Sequence, residues 1–140
     1  MAAARLELEV TETAIIVDKK RALHILRQIK AMGVTIAIDD FGTGYSSLET
    51  LRSFPFDKIK LDRSFVIDLD TNIHARAFVR AMLALGKSLR IPVLAEGVET
   101  EEQMNVLTEE GCDQLQGYLL GRPAPMPDLG VKALNVALER

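Results

Sequence analysis

Residues 36–48 read IAIDDFGTGYSSL. The first three are an apolar, partly β-branched run, the pattern of a strand buried on both faces. Two adjacent carboxylates, Asp39 and Asp40, end it, and a glycine-flanked turn follows at once. Bare like charges side by side repel, so the pair belongs at a rim where something positive neutralises it. Beyond the turn, Ser46 or Ser47 can cap a short helix over about residues 48–53, which Pro55 ends. Strand, acidic rim and helix together make one βα unit.

The same unit recurs on either side. LELEV (6–10) reads as a strand alternating apolar and acidic residues. In DKKRALHILRQIKAMG (18–33), Ala22, Ile25, Leu26, Ile29 and Met32 fall on one helical face, with Asp18 as N-cap and Gly33 as stop. KIKL (58–61) is the third strand, and Phe78, Met82, Leu85 and Leu89 form a helical stripe leading to the strand IPVLAEGV (91–98). Thr100 and Gln103 are spaced as a capping box for a helix to about Glu109, and CDQLQGY (112–118) is a fifth strand. GRPAPMP (121–127) reads as a loop and LGVKALNVALER (129–140) as a last amphipathic helix. Strands alternating with helices predict an α/β fold around a parallel sheet.

A chain of 140 residues that is 48% hydrophobic builds one core and is too short for two ordinary domains. Its net charge of −3 and pI near 5.4 exclude the basic footprint that duplex nucleic acid requires, while a nucleotide ligand stays open. Cys112 is the only cysteine, so no internal disulfide forms and a reducing compartment is expected. The apolar runs are too short and too charged for a signal peptide or a membrane span, which predicts a cytoplasmic protein with no membrane contact in this segment.

Glu9, Asp39, Asp40, Lys60, Glu96 and Gln116 all fall at or near the carboxyl ends of the expected strands. That end of an α/β sheet or barrel is where sites lie. Four carboxylates and one amine converging on a single mouth suit a hard divalent cation, Mg²⁺ or Mn²⁺, because the ligands are oxygens. His24 and His74 stand within helices, where packing and surface roles are ordinary. Two such ions, ~3.5–4 Å apart, would clamp the attacking and leaving oxygens of a phosphodiester. Taken singly, Asp39 and Asp40 read as a turn-and-cap cluster, Glu9 as a solvated strand face, Lys60 equally as surface or site, and Gln116 as a loop residue before glycine. DFG at 40–42 lacks the glycine-rich loop and H-R-D of protein kinases, and GTG at 42–44 is weak as a phosphate cradle.

LELEVTET, DDFGTGYSSL, KIKLDRSFV, PVLAEGVET and QLQGYLLGRP resemble, in order and spacing, the later motifs of the EAL domain family, the bacterial cyclic di-GMP phosphodiesterases. The resemblance implies a TIM-type (β/α) barrel that hydrolyses cyclic di-GMP to linear pGpG with Mg²⁺ or Mn²⁺. It makes Glu9, Asp39, Asp40 and Glu96 metal ligands, Lys60 the residue that steers water or neutralises developing charge, and Gln116 a neighbour of the metal site. Glu12 becomes the tether of the 41–47 loop, a loop tied to metal, substrate and a homodimer, and Glu99 takes a supporting role. The Glu-Ala-Leu tripeptide and an asparagine ligand of the family are absent from this sequence. Residues 1–140 are therefore expected to form the last five of eight βα units, a partial EAL domain that is inactive alone. A non-catalytic module that binds cyclic di-GMP or a protein partner is the alternative that the resemblance leaves open.

Overall fold

Five strands pair in parallel in the order of the chain: β1 (Glu7–Thr11), β2 (Thr35–Asp39), β3 (Lys58–Leu61), β4 (Val93–Ala95) and β5 (Gln114–Leu115). The computed structural model describes residues 5–42 and 48–121. The cap at Ser46 or Ser47, most of the 41–47 loop, nearly all of GRPAPMP and the helix expected over 129–140 lie outside the described residues. Sequential order separates this sheet from a doubly wound one, whose strand order reverses in the middle. Each crossover advances one strand in the same direction and is right-handed by steric preference, so the helices gather on one side, as in an arc of a (β/α) barrel. The expected α/β class and five-strand barrel arc are what the chain forms.

The helices are α1 (Glu12–Ile16), α2 (Lys19–Ala31), α3 (Leu48–Ser53), α4 (Ile73–Leu89) and α5 (Glu101–Glu109). Caps account for their starts. Asp18 Oδ1 accepts from Arg21 N at 3.1 Å, and Asn72 Oδ1 from His74 N at 2.9 Å. The Thr100–Gln103 capping box is complete, Gln103 N donating to Thr100 Oγ1 at 3.1 Å and Gln103 Oε1 accepting from Thr100 N at 3.2 Å. Two elements were not expected. Thr11 caps the single turn α1 by accepting from Ala14 N, and Asp62 caps a 3-10 helix over Arg63–Phe65.

The core lies between the outer face of the sheet and the helices. Ile36, Ile38, Ile59 and Leu61 of the strands meet Leu26, Val79, Met82 and Leu107 of the helices. Two helical faces differ from expectation. In α2, Leu26 is buried and Ala22, Leu23 and Ile29 pack beside it, whereas Ile25 and Met32 are exposed. In α4, Val79, Met82, Leu83 and Gly86 are buried, and Phe78, Leu85 and Leu89 lie at the margin. Spacing fixes a helical stripe only to within a residue, and the sheet beneath decides which edge of it is covered. Among the described residues, no helix is long and apolar enough to cross a membrane.

Candidate active site at the carboxyl ends of the strands

Side chains alternate across a strand, so residues two apart share a face. With Glu9 beside Ala37 and Lys60 beside Leu94 in the pairing register, Glu7 and Glu9, Ala37 and Asp39, Lys58 and Lys60, and Leu94 and Glu96 fall on the inner face, away from the helices. Ala37 offers only a methyl group there, and the lysines of β3 reach across β2 to β1. Lys58 Nζ pairs with Glu7 Oε2 at 2.9 Å. Lys60 Nζ pairs with Glu9 on one side and with Glu96 Oε1, at 2.6 Å, on the other.

Lys60 is 5% exposed, and burial alone would lower its pKa. The hydrogen bonds and charges of Glu9 and Glu96 outweigh that burial and hold the ammonium well above its ordinary value. Glu96 moves upward because its own burial, with Asp39 and Glu9 adding to it, exceeds what Lys60 returns. Lys60 thus stays charged and is shared by the two carboxylates Glu9 and Glu96.

Asp39 ends β2 and Asp40 follows in a left-handed conformation, φ 56°, with its N–H donating to Asp39 Oδ1 at 2.9 Å. Burial first, then the charges of Asp39 and Asp62 and a hydrogen bond with Asp62, raise the Asp40 carboxyl above the usual carboxylate range. Asp62 moves the other way, because Ser64 donates to it from side chain and backbone, the latter at 3.0 Å. The sequence reading missed Asp62. The signal was present, since it stands two residues beyond Lys60 and hence on the same face, one step past the end of β3.

The remaining expected residues are placed as follows. Glu99 pairs with Arg63, Nη2 to Oε1 at 3.2 Å, and its N–H donates to Gln103 Oε1 at 2.8 Å. Gln116 follows β5, bonded through its backbone to Ala95 and Val98, and its exposed side chain joins none of these ion pairs. Glu12 opens α1 and is 7% exposed, yet neither carboxylate oxygen has a hydrogen-bond partner among the described residues. A buried acid in that state costs several kcal/mol unless a donor reaches it. Among the described residues no three of these acids, nor any His or Cys, gather closely enough as they stand to hold an ion. The donor chemistry nevertheless fits a hard cation: the groups are all oxygens, and the half-buried Asp39, Asp40 and Asp62 crowd negative charge together beside Lys60, Asp40 being raised by the charges of both other aspartates.

Residues 1–123 match the EAL domain family. The chain is 50% identical over 126 residues to the Pseudomonas aeruginosa bifunctional diguanylate cyclase/cyclic di-GMP phosphodiesterase MucR, a match covering 90% of this chain and 18% of that protein. It superposes with a TM-score of 0.87 on the solved PaMucR phosphodiesterase in complex with c-di-GMP, at 49% identity, over 92% of this chain and 52% of that one. It superposes with a TM-score of 0.83 on the manganese and cyclic di-GMP complex of Klebsiella pneumoniae BlrP1, at 37% identity, over 89% of this chain and 32% of that one. The chain thus spans about half, or less, of the length of each of these relatives.

Proposed function

Because the chain belongs to the EAL domain family, we propose that these residues form the carboxyl-terminal part of a metal-dependent phosphodiesterase that hydrolyses cyclic di-GMP to linear pGpG. The observation that carries this reading is the gathering of Asp39, Asp40, Lys60, Asp62 and Glu96 at or just past the ends of β2, β3 and β4, with Lys60 buried between Glu96 and Glu9, which reaches it from the middle of β1. Glu9, Asp39, Asp40 and Glu96 would hold Mg²⁺ or Mn²⁺, and Asp62 joins them through Asp40. When bound, such ions polarise a phosphoryl oxygen and lower the pKa of water.

Every other part of the reaction falls to the chain itself. Water adds to one phosphorus, the bond from that phosphorus to a ribose oxygen breaks, and the departing oxygen takes a proton. Lys60, kept charged by its neighbours, is placed to offset charge growing on the phosphoryl oxygens and to orient the attacking water. Gln116, at the next strand end, is placed to position substrate or water. Glu12, buried at the start of α1, would act on the aspartates from a distance, without touching substrate. The enzyme works in the cytoplasm as a homodimer.

Product analysis of the full-length protein incubated with cyclic di-GMP in Mg²⁺ and in Mn²⁺ tests this. Linear pGpG supports the enzyme, and intact cyclic di-GMP bound without turnover supports the non-catalytic binding module instead.

A further inference from the structure

The turn that carries Asp39 and Asp40 leans on two aromatic rings from elsewhere in the chain. Asp40 has φ 56° and Gly42 has φ 95°, so two of the four residues 39–42 adopt left-handed backbone. Non-glycine backbone of that kind persists where its surroundings fix it. One anchor is Phe41, 3% exposed in the core. The other lies at Gly42. A Cβ built there would stand 3.0 Å from Phe78 Cζ and 3.3 Å from Phe65 Cζ, so the glycine backbone lies against the ring edges with no room for a side chain. The two rings are stacked, with centroids 4.4 Å apart and planes 19° from parallel. Phe65 comes from the 3-10 helix just after Asp62, and Phe78 from the second turn of α4.

We propose that the stacked pair Phe65 and Phe78 is a positioning platform for the Asp39–Asp40 turn, setting where its carboxylates stand without contacting substrate or cation. Both rings are only partly buried, while Val79, Met82 and Leu83 carry the packing of α4 against the sheet. The face they present to Gly42 is therefore separable from the contacts that fold the helix. The platform also ties the segments after β2 and after β3 to α4, because Phe65 lies three residues from Asp62, which bonds Asp40, and Phe78 belongs to α4. Its consequence for the reaction rests on the metal reading proposed above, and the experiment separates the two.

Phe78→Leu keeps bulk on α4 but removes the ring atoms that meet Gly42. Met82→Ala, one turn further along the same helix and buried, serves as a core control. In the metal-free chain, amide hydrogen exchange followed by mass spectrometry should be about fivefold faster or more at residues 38–42 in Phe78→Leu, and unchanged there in Met82→Ala. Phe78→Tyr adds a hydroxyl at the ring atom nearest Gly42. It should quicken exchange at the turn while leaving α4 protected as in the wild type, which excludes general unfolding as the cause. Mn²⁺ titrated alone, with free ion read by electron paramagnetic resonance, should bind about threefold to tenfold more weakly to Phe78→Leu and Phe65→Leu than to the wild type. Wild-type exchange at 38–42 in Phe78→Leu and Phe78→Tyr, or an equal rise in Met82→Ala, overturns the platform. A wild-type chain that takes up no Mn²⁺ overturns the metal reading instead, and the exchange result still decides the platform.

Discussion

Lys60 shows how one side chain organises its neighbours. It spans β2 and joins Glu9 of β1 to Glu96, just past β4, so its removal leaves Glu9 and Glu96 repelling one another, with Asp39 adding to the repulsion on Glu96. Its folded-state pKa is raised, so its contribution to stability is complete below the ordinary lysine value of 10.5 and is lost only as pH climbs through the higher folded value. Lys60→Met should therefore cost about 1–3 kcal/mol at neutral pH. That cost should shrink as pH falls toward the carboxylate range, because Glu96, already raised by burial, takes up a proton and the repulsion ends. Urea titrations of both proteins across that range check this, and a cost independent of pH would mean that Glu9 and Glu96 do not feel one another. Asp39→Asn replaces one fixed anion by a neutral amide. It should weaken Mn²⁺ binding roughly tenfold or more, and an unchanged calorimetric Kd would remove Asp39 from the ligand set.

Elements are joined at the opposite end of the sheet by a device that recurs. Asp57, just before β3, accepts the N–H of Ile36 in β2 at 2.8 Å, and Asp113, just before β5, accepts the N–H of Val93 in β4 at 3.1 Å. Each acid satisfies a backbone donor near the amino end of the preceding strand, and Lys30 of α2 pairs with Asp57 as well. Polar residues at the amino ends of barrel strands serve stability. Asp113→Ala should accordingly cost roughly 1–2 kcal/mol, with Mn²⁺ affinity within twofold of wild type. A large loss of metal binding in that variant would mean that the two ends of the sheet are coupled. On the outer surface, Glu110 at the end of α5 accepts from Arg76 Nε at 2.9 Å and from Arg80 Nη2 at 2.8 Å, both on α4. Those hydrogen bonds, Arg80 before Arg76, pull its carboxyl down from 4.5 to about 2. A depressed acid stabilises above its unfolded value and loses that effect as pH falls through its folded value. Glu110→Gln should lower Tm by about 2–4 °C at pH 7, and the difference should vanish as pH drops from 4.5 toward 2. The arginines are substantially exposed, so added salt should narrow it too.

The whole molecule is an arc whose edges, among the described residues, are β1 and β5. Edge strands present unpaired backbone donors and acceptors. Along β1 the outer face is thinly covered as well, with Leu6 and Leu8 exposed. The 140-residue polypeptide studied alone should therefore self-associate, and it should turn over cyclic di-GMP far more slowly than a complete domain. Light scattering together with a pGpG assay checks both, and a monodisperse, fully active monomer would show that these residues need no further strands. The fold class was legible in IAIDD, KIKL and PVLAE, because short apolar runs ending in charge, separated by helical periods and true caps at Asp18 and Thr100, leave little but parallel βα units. The placement of Asp39, Asp40, Lys60 and Glu96 at strand ends was legible for the same reason, since local periodicity assigns both the strand and its face, whereas Glu9 stands mid-strand because β1 runs on to Thr11. Three things were decided only in the tertiary structure. Lys60 reaches Glu9 across β2, a consequence of sheet pairing between residues 51 apart in the chain. Asp62 meets Asp40, and Phe78 meets Gly42, because loops from different strands converge at one end of the sheet. Sequence pattern reports what each segment does with its own neighbours, while contacts between segments depend on the twist and stagger of a sheet that no single segment contains.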